Sequence, residues 1–335
     1  MSWTFVFPGQ GSQFPGMGKF LYEQFKVAQH TFEEASDALK LDFKKLCFEG
    51  SEADLALTEN TQPALLLVST ATSRVLQEKL GFHTSGALSA KDKSSTTIST
   101  VAGHSIGEYG ALVTAKVLDF TSAMKAVRIR GQAMQSAVPV GEGAMAAVMG
   151  LDPQQTTQLC KYIEKESGFT PVSPANFNCP GQIVISGSAK AIAWAKDLKP
   201  ENVFGDSVKK LRLIPLQVSA PFHCQLMKPA EEKMRQVLTD MNFQAPQSQV
   251  IQNFTAKIHS DPAEIRENLI RQVSAPVMWM QSMEVLKTMG NPKIIECGAG
   301  KVVQGLLKKI DSEYFQVFNV NSLEDIDIIE KTIKN

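Results

Sequence analysis

"VAGHSIGEYGAL", residues 101–112, sets a serine between two glycines. Upstream, "STTISTV" is rich in β-branched residues and predicts a strand entering the core. Downstream, "GEYGALVTAKVL" has helical spacing and good helix formers. Gly103-His104-Ser105-Ile106-Gly107 is therefore a strand-to-helix turn of the G-x-S-x-G type. So sharp a turn strains its central residue, and neighbours without Cβ let the chain pass closely. The Ser105 hydroxyl then stands at the mouth of a sheet, placed as a nucleophile. The N–H of Ile106 opens the helix, where the dipole favours negative charge, and supplies half an oxyanion hole. A serine-capped βα turn without chemistry has the same five residues, so the motif alone leaves both readings open.

The 335 residues predict two structural units, or one domain with an insertion. Lys+Arg and Asp+Glu both number 34, so no excess charge argues for a nucleic acid or an anionic membrane surface as partner. No apolar run approaches the length of a membrane span, and no charged start precedes an apolar stretch. The expectation is a cytoplasmic protein without a transmembrane helix or signal peptide. Cys47, Cys160, Cys179, Cys224 and Cys297 are scattered and odd in number, which fits reduced thiols and neither a disulfide frame nor a zinc site. His30, His83 and His259 lie in unrelated segments, and no metal site is expected.

Outward from the turn, "SWTFVF" predicts a strand at 2–7, followed by the glycine-rich loop "PGQGSQFPGMG". Residues 19–40 carry an amphipathic helical pattern, and "PALLLVSTATSRVLQEKL" a largely buried helix. "TSGALSAKDKSSTTIS" breaks the periodicity as an exposed loop or insertion. "DFTSAMKAVRIRGQAMQSAV" is helical, with Asp119 as its cap. Residues 139–215 then read strand, helix, strand, strand, helix, strand, the βαββαβ order of a ferredoxin-like unit. Strands and helices alternate again from 216. The fold expected is α/β: a larger α/β-hydrolase-like unit with a mostly parallel sheet, from 1–138 and 216–335, and an inserted ferredoxin-like unit, 139–215.

A serine nucleophile needs a base, and histidine is the usual one. His104 adjoins Ser105, but neighbours at such a turn project differently. His223, in "SAPFHCQLM", sits where the chain leaves the inserted unit and can reach the turn; it can equally be a buried filler. The loop Gly9-Gln10-Gly11-Ser12-Gln13 follows the first strand, at the edge that borders the ligand crevice of an open α/β sheet. The N–H of Gln10 is a candidate second oxyanion donor. Arg128 and Arg130 are two apart on one helix, so they face different sides. An arginine on the apolar side needs a carboxylate partner; two solvated arginines are the plainer reading of this helix alone.

Together these segments resemble the malonyl-CoA:acyl carrier protein transacylase family of fatty acid synthesis, in its stand-alone bacterial form. The resemblance runs through "FVFPGQGSQ" at 5, "TQPALL" at 61, "AGHSIGEY" at 102, "RGQAMQ" at 130, "GAMAAVMGLD" at 143, "NFNCPGQIVISG" at 176, "SAPFHCQLMKPA" at 219, "RQVSAPVMW" at 271 and "ECGAGKVVQGLLKK" at 296. It covers nearly the whole chain in the family's order. It implies Ser105 as nucleophile, His223 as base, Gln10 and Ile106 as main-chain oxyanion donors, and Arg130 as holder of the malonyl carboxylate. It implies that the main-chain carbonyl of Gln272 orients the histidine in place of an acid, and that Gln62, His104, Asn176 and Phe222 stand at or behind the pocket. Malonyl-CoA and acyl carrier protein are the implied partners. The chemistry is ester and thioester exchange, for which no metal or cofactor is expected. Carrier proteins of such pathways are acidic, so Lys209, Lys210 and Arg212, and Lys308 and Lys309, are candidate docking groups.

Two features depart from the family pattern. Residues 82–97 form a longer segment than usual before the turn's strand. Phe222 precedes the histidine where several stand-alone members carry serine, a resemblance to the malonyl-selective domains of megasynthases. A discrete acyltransferase serving a polyketide synthase is therefore the alternative within the class. Outside it stand a serine hydrolase or thioesterase, whose histidine belongs near the C-terminus, and a non-catalytic carrier-protein docking module.

Overall fold

Strand β1 (Ser2–Phe7) sends Trp3, Phe5 and Phe7 into one core and Val6 into another. That alternation runs across its neighbours. In the computed structural model, which describes residues 2–87, 96–218 and 220–334, ten further strands follow. They are β2 (His83–Thr84), β3 (Thr97–Gly103), β4 (Gly143–Met149), β5 (Val172–Cys179), β6 (Gln182–Ser188), β7 (Arg212–Pro215), β8 (Gln249–Gln252), β9 (Lys257–His259), β10 (Lys293–Glu296) and β11 (Gln316–Asn319). The large sheet has the order β11-β10-β1-β3-β8-β9, with β2 beside β3. All its pairings are parallel except β8 with β9. Val101, Val250 and Ile295 join the core of Trp3, while Ala102, Ile251 and Ile294 join that of Val6. A sheet buried on both faces needs such continuous apolar strands. Among the described residues, no helix is long and apolar enough to cross a membrane.

The segment 143–215 forms a second, antiparallel sheet in the order β5-β6-β4-β7, as the ferredoxin-like pattern requires. Helices Pro153–Ser167 and Ala189–Ala195 cover one face, over Ala146, Val148 and Ile185. From the other face Met145, Ala175 and Val184 join the main core. The edge strand β5 is tied to the large unit at Val277: Phe177 N donates to Val277 O (2.9 Å) and Val277 N to Ala175 O (2.8 Å). Lys209, Lys210, Arg212, Lys308 and Lys309 are all exposed, and Arg212 and Gln182, the latter bonded by Lys309 Nζ at 2.8 Å, flank Met149.

Several elements depart from the sequence patterns. The helix expected over 19–40 is two, Lys19–Gln24 and Lys26–Leu39, broken by extended backbone at Phe25. The helix "PALLLVSTATSRVLQEKL" starts a turn earlier, at Thr58, and carries Pro63 inside it. Pro63 has no N–H to give to Glu59 O, and Arg128 Nη1 donates there instead, at 2.7 Å. Arg128 also pairs with Glu59 Oε2 at 3.1 Å, so it is not a solvated residue. The last strand of the 139–215 pattern is only Arg212–Pro215. Of the long segment 82–97, His83 and Thr84 pair with β3, and 88–95 lie outside the described residues.

Helix Phe120–Ser136 packs on helix Thr58–Leu80 with almost no clearance at Gly131, where a Cβ would meet Glu59 Cα and Thr58 O at 2.7 Å. Both obstacles are backbone. That approach sets the neighbouring Arg130 against Gln62. Gly131→Ala is therefore expected to destabilise the protein by about 1–3 kcal/mol, the usual cost of overpacking. Calorimetry tests this, and an unchanged melting temperature contradicts the packing described.

Candidate active site

Strand β3 ends at Gly103 and the next helix begins at Gly107 (Gly107–Thr114). A Cβ on Gly103 would lie 2.0 Å from the Gly107 carbonyl carbon, and one on Gly107 would lie 2.2 Å from Phe7 O. The turn closes only because both are absent. Ser105 at its apex has φ +51°, the left-handed region that side chains disfavour. His223 has φ +59°. Two such residues facing each other mark a site where backbone strain is tolerated for position.

Ser105 Oγ and His223 Nε2 are 2.7 Å apart. On the other side of the ring, His223 Nδ1 lies 2.9 Å from the main-chain carbonyl of Gln272. A carbonyl only accepts, so Nδ1 carries the proton, Nε2 is bare, and the serine hydroxyl donates to it. Burial, foremost, and the positive charge of Arg130 bring the His223 pKa down to about 3. The ring is thus neutral at neutral pH, with Nε2 free to accept a proton.

Arg130 is 1 % exposed. Its Nη1 donates to Gln62 Oε1 at 2.8 Å and its Nη2 to Gln272 Oε1 at 2.9 Å. Nη2 also reaches Ser105 Oγ at 3.3 Å, while the buried Nε has no hydrogen-bond partner among the described residues. Arg130 is therefore held by two amide oxygens, neither of them charged. The guanidinium lines a cavity of about 370 Å³ together with Ser105, His223, Gln10, Gln62, His104, Asn176 and Phe222. Met134, Met145, Val184 and Leu216 supply apolar wall. Ile106 also lines it, and neither Ile106 N nor Gln10 N donates to another main-chain group among the described residues. The structure thus gathers Ser105, His223, Arg130, Gln10, Ile106, Gln62, His104, Asn176 and Phe222 around one chamber, with Gln272 behind it, while the candidate docking groups Lys209, Lys210, Arg212, Lys308 and Lys309 lie outside it. His104 lines the wall itself, with its Nε2 2.8 Å from Asn178 Oδ1 on β5.

Three residues of the site are not marked by the sequence patterns. Asn253, beyond β8, accepts from Ser105 N at 2.7 Å and donates to Gly103 O at 2.6 Å. Glu108 is fully buried beneath it. Asn178 holds His104. A carboxylate in the otherwise apolar helix "GEYGALVT" is the one available signal; a single asparagine at a strand end gives none.

The family model for the acyl transferase domain matches residues 4–298. The malonyl CoA-acyl carrier protein transacylase of Bacillus subtilis is 42% identical over 331 residues, covering 99% of this chain and 97% of that one. Among solved structures, an acyl carrier protein S-malonyltransferase from Vibrio cholerae superposes with a TM-score of 0.86 at 42% identity, over 98% of this chain and 99% of the other. A malonyl-transacylase in complex with its type II PKS acyl-carrier protein superposes at 0.87 with 40% identity, over 99% of this chain and all of the other.

The depressed His223 pKa has a definite pH signature. The unfolded ring takes up a proton near its ordinary value of 6.5, and the folded ring only near 3. The stability linked to this group is complete above pH 6.5 and is lost as pH falls toward 3. NMR of the imidazole signals is expected to show His223 neutral from pH 8 down to pH 5; a midpoint near 6.5 contradicts the buried, Arg130-facing geometry.

Proposed function

The chain belongs to the acyl transferase family, and we propose that it moves the malonyl group of malonyl-CoA to the phosphopantetheine thiol of acyl carrier protein, in fatty acid synthesis. The observation that carries this reading is a buried arginine aimed, beside a serine–histidine pair, into a chamber of about 370 Å³. Ser105 is the nucleophile. As Oγ attacks the thioester carbon, His223 Nε2 takes its proton. The N–H groups of Gln10 and Ile106 receive the oxyanion. The C–S bond breaks, the departing sulfur takes the proton from Nε2, and a malonyl ester remains on Ser105. The carrier-protein thiol then gives its proton to Nε2 and attacks that ester, and Oγ leaves with the proton restored. Gln272 O holds Nδ1 throughout and steadies the charge that the ring carries between the two transfers.

Arg130 meets the malonyl carboxylate with a planar, permanently charged fork. Gln62 and Gln272 hold the fork on either side, and Asn176, Phe222 and His104 shape the wall. We take 1–138 with 216–335 as the catalytic unit and 139–215 as a ferredoxin-like unit inserted in it; the separate core beneath the small sheet's helices supports that division. Five free, buried cysteines support a cytoplasmic location.

Incubation with malonyl-CoA followed by intact-mass measurement tests the reaction. The wild type is expected to carry one malonyl adduct, and Ser105→Ala none. Rapid release of malonate without carrier protein would assign a hydrolase instead, and wild-type protein without an adduct would assign a docking module.

Arg130 tests the substrate. Acetyl-CoA lacks the charge that the guanidinium awaits, so Arg130→Ala is expected to cost malonyl transfer about 3–5 kcal/mol, the scale for breaking a buried pair. Acetyl transfer should fall far less. Arg130→Lys recovers only part, because a point charge lacks the fork. Arg128→Ala, whose side chain turns to Glu59, should leave the preference alone. The readout is kcat/KM for the two thioesters; an unchanged ratio in Arg130→Ala overturns the assignment.

A further inference from the structure

Glu108 lies just beyond the serine turn and touches none of the reacting atoms. Its side chain is fully buried. Its hydrogen-bond partners are all donors: Gln252 Nε2 on Oε1 at 3.0 Å, and Asn253 N at 2.8 Å and Gln272 Nε2 at 2.9 Å on Oε2. Burial draws the group toward its neutral form, while these donors and the charge of Arg130 oppose that. Every contact it makes is one that an ionised carboxylate accepts.

Two of the three donor residues hold the reacting groups. Asn253 Oδ1 accepts from Ser105 N (2.7 Å). Gln272 Nε2 also donates to Ser105 O (3.0 Å), Gln272 Oε1 accepts from Arg130 Nη2 (2.9 Å), and the Gln272 carbonyl faces His223 Nδ1 (2.9 Å). Nucleophile, base and arginine are therefore each one residue away from a single carboxylate. An amide has only one acceptor end. By accepting from Nε2 together with Ser105 O, Glu108 keeps Oε1 of Gln272 directed toward Arg130. The negative charge that balances Arg130 is thus set one amide away. The guanidinium stays aimed and unquenched, which a direct ion pair would not allow.

We propose that Glu108 is a positioning residue of the transfer, which sets the malonyl preference by fixing the amide of Gln272 against Arg130. This rests on the transferase reading above. Gln at 108, with its oxygen in place of Oε2, still accepts from Asn253 N and Gln272 Nε2, and its NH₂ faces Gln252 Nε2, which Asn268 Nδ2 and Ile265 O, both at 3.0 Å, hold in place. The charge behind Gln272 is lost, and its amide is held toward Arg130 by neutral acceptors alone.

The experiment compares wild type, Glu108→Gln and Glu108→Asp, the last keeping the charge on a shorter arm. Acylation kinetics with malonyl-CoA and acetyl-CoA are measured per active site, titrated with a fluorophosphonate that reacts with Ser105 whatever Arg130 does. The malonyl-to-acetyl ratio of kcat/KM is expected to fall about tenfold, the scale of one buried hydrogen bond to a charged group. A residue that served stability alone would change the number of active sites and leave the ratio. A ratio within about twofold of wild type in the variants that fold overturns the proposal, as does failure of both to fold, which would make Glu108 structural. Wild type without a malonyl adduct defeats the transferase reading instead, so the two failures are distinct.

Discussion

The carbonyl of Phe7 sits inside the turn at Ser105, and the site is built around it. It accepts the N–H of His104 at 2.9 Å and stands where a Cβ of residue 107 would be. The end of β1 therefore dictates how sharply β3 turns into its helix. That sharpness puts Ser105 in the left-handed region, a strain of about 1–3 kcal/mol that only surrounding contacts sustain. Asn253 supplies them on one side, at Gly103 O and Ser105 N, and Gln272 Nε2 on the other, at Ser105 O. Ser105 is consequently fixed by main-chain bonds and strand packing, and its hydroxyl is left to the histidine and the arginine.

Electrostatics completes what the backbone begins. Burial, and with it the neighbouring arginine, keeps His223 neutral, and Glu108 lies one amide away from that arginine. The same positive group that lowers the basicity of His223 also attracts an anionic acyl chain. Entry of a carboxylate would reduce the field on the ring and make proton uptake easier as the thioester arrives. Substrate charge and base strength are thus linked through one guanidinium.

Much of this architecture is legible in the sequence, for identifiable reasons. Gly103 and Gly107 mark the turn because no other residue fits there, and the βαββαβ order shows because its hairpin carries "NCPG" between two alternating runs. The chamber residues are readable through the family resemblance, since Gln62, Asn176 and Gln272 have no chemistry of their own to announce them. The break at Phe25 is hidden because "EQFKV" holds no glycine or proline. The extra turn before Pro63 is hidden because its enabling partner, Arg128, lies on another helix. Strands β2, β9 and β11 are two to four residues long, too short for an alternation to register. Glu108 and Asn253 matter through bonds to residues far along the chain, which only the folded arrangement brings together.

The tie between β5 and Val277 couples the chamber wall to the base. Asn176 on β5 forms part of the wall, and Val277 follows closely on Gln272, whose carbonyl steadies the base. Wall and base tether are therefore one piece of backbone, stitched by two main-chain hydrogen bonds. A displacement of the small sheet along that edge would carry the histidine with it. The opposite edge, β7, is short and largely exposed, and the chain runs on from it through Leu216–Val218 along the chamber to Phe222 and His223. Both edges of the small sheet therefore lead to the same imidazole ring, one across two hydrogen bonds and one along the chain.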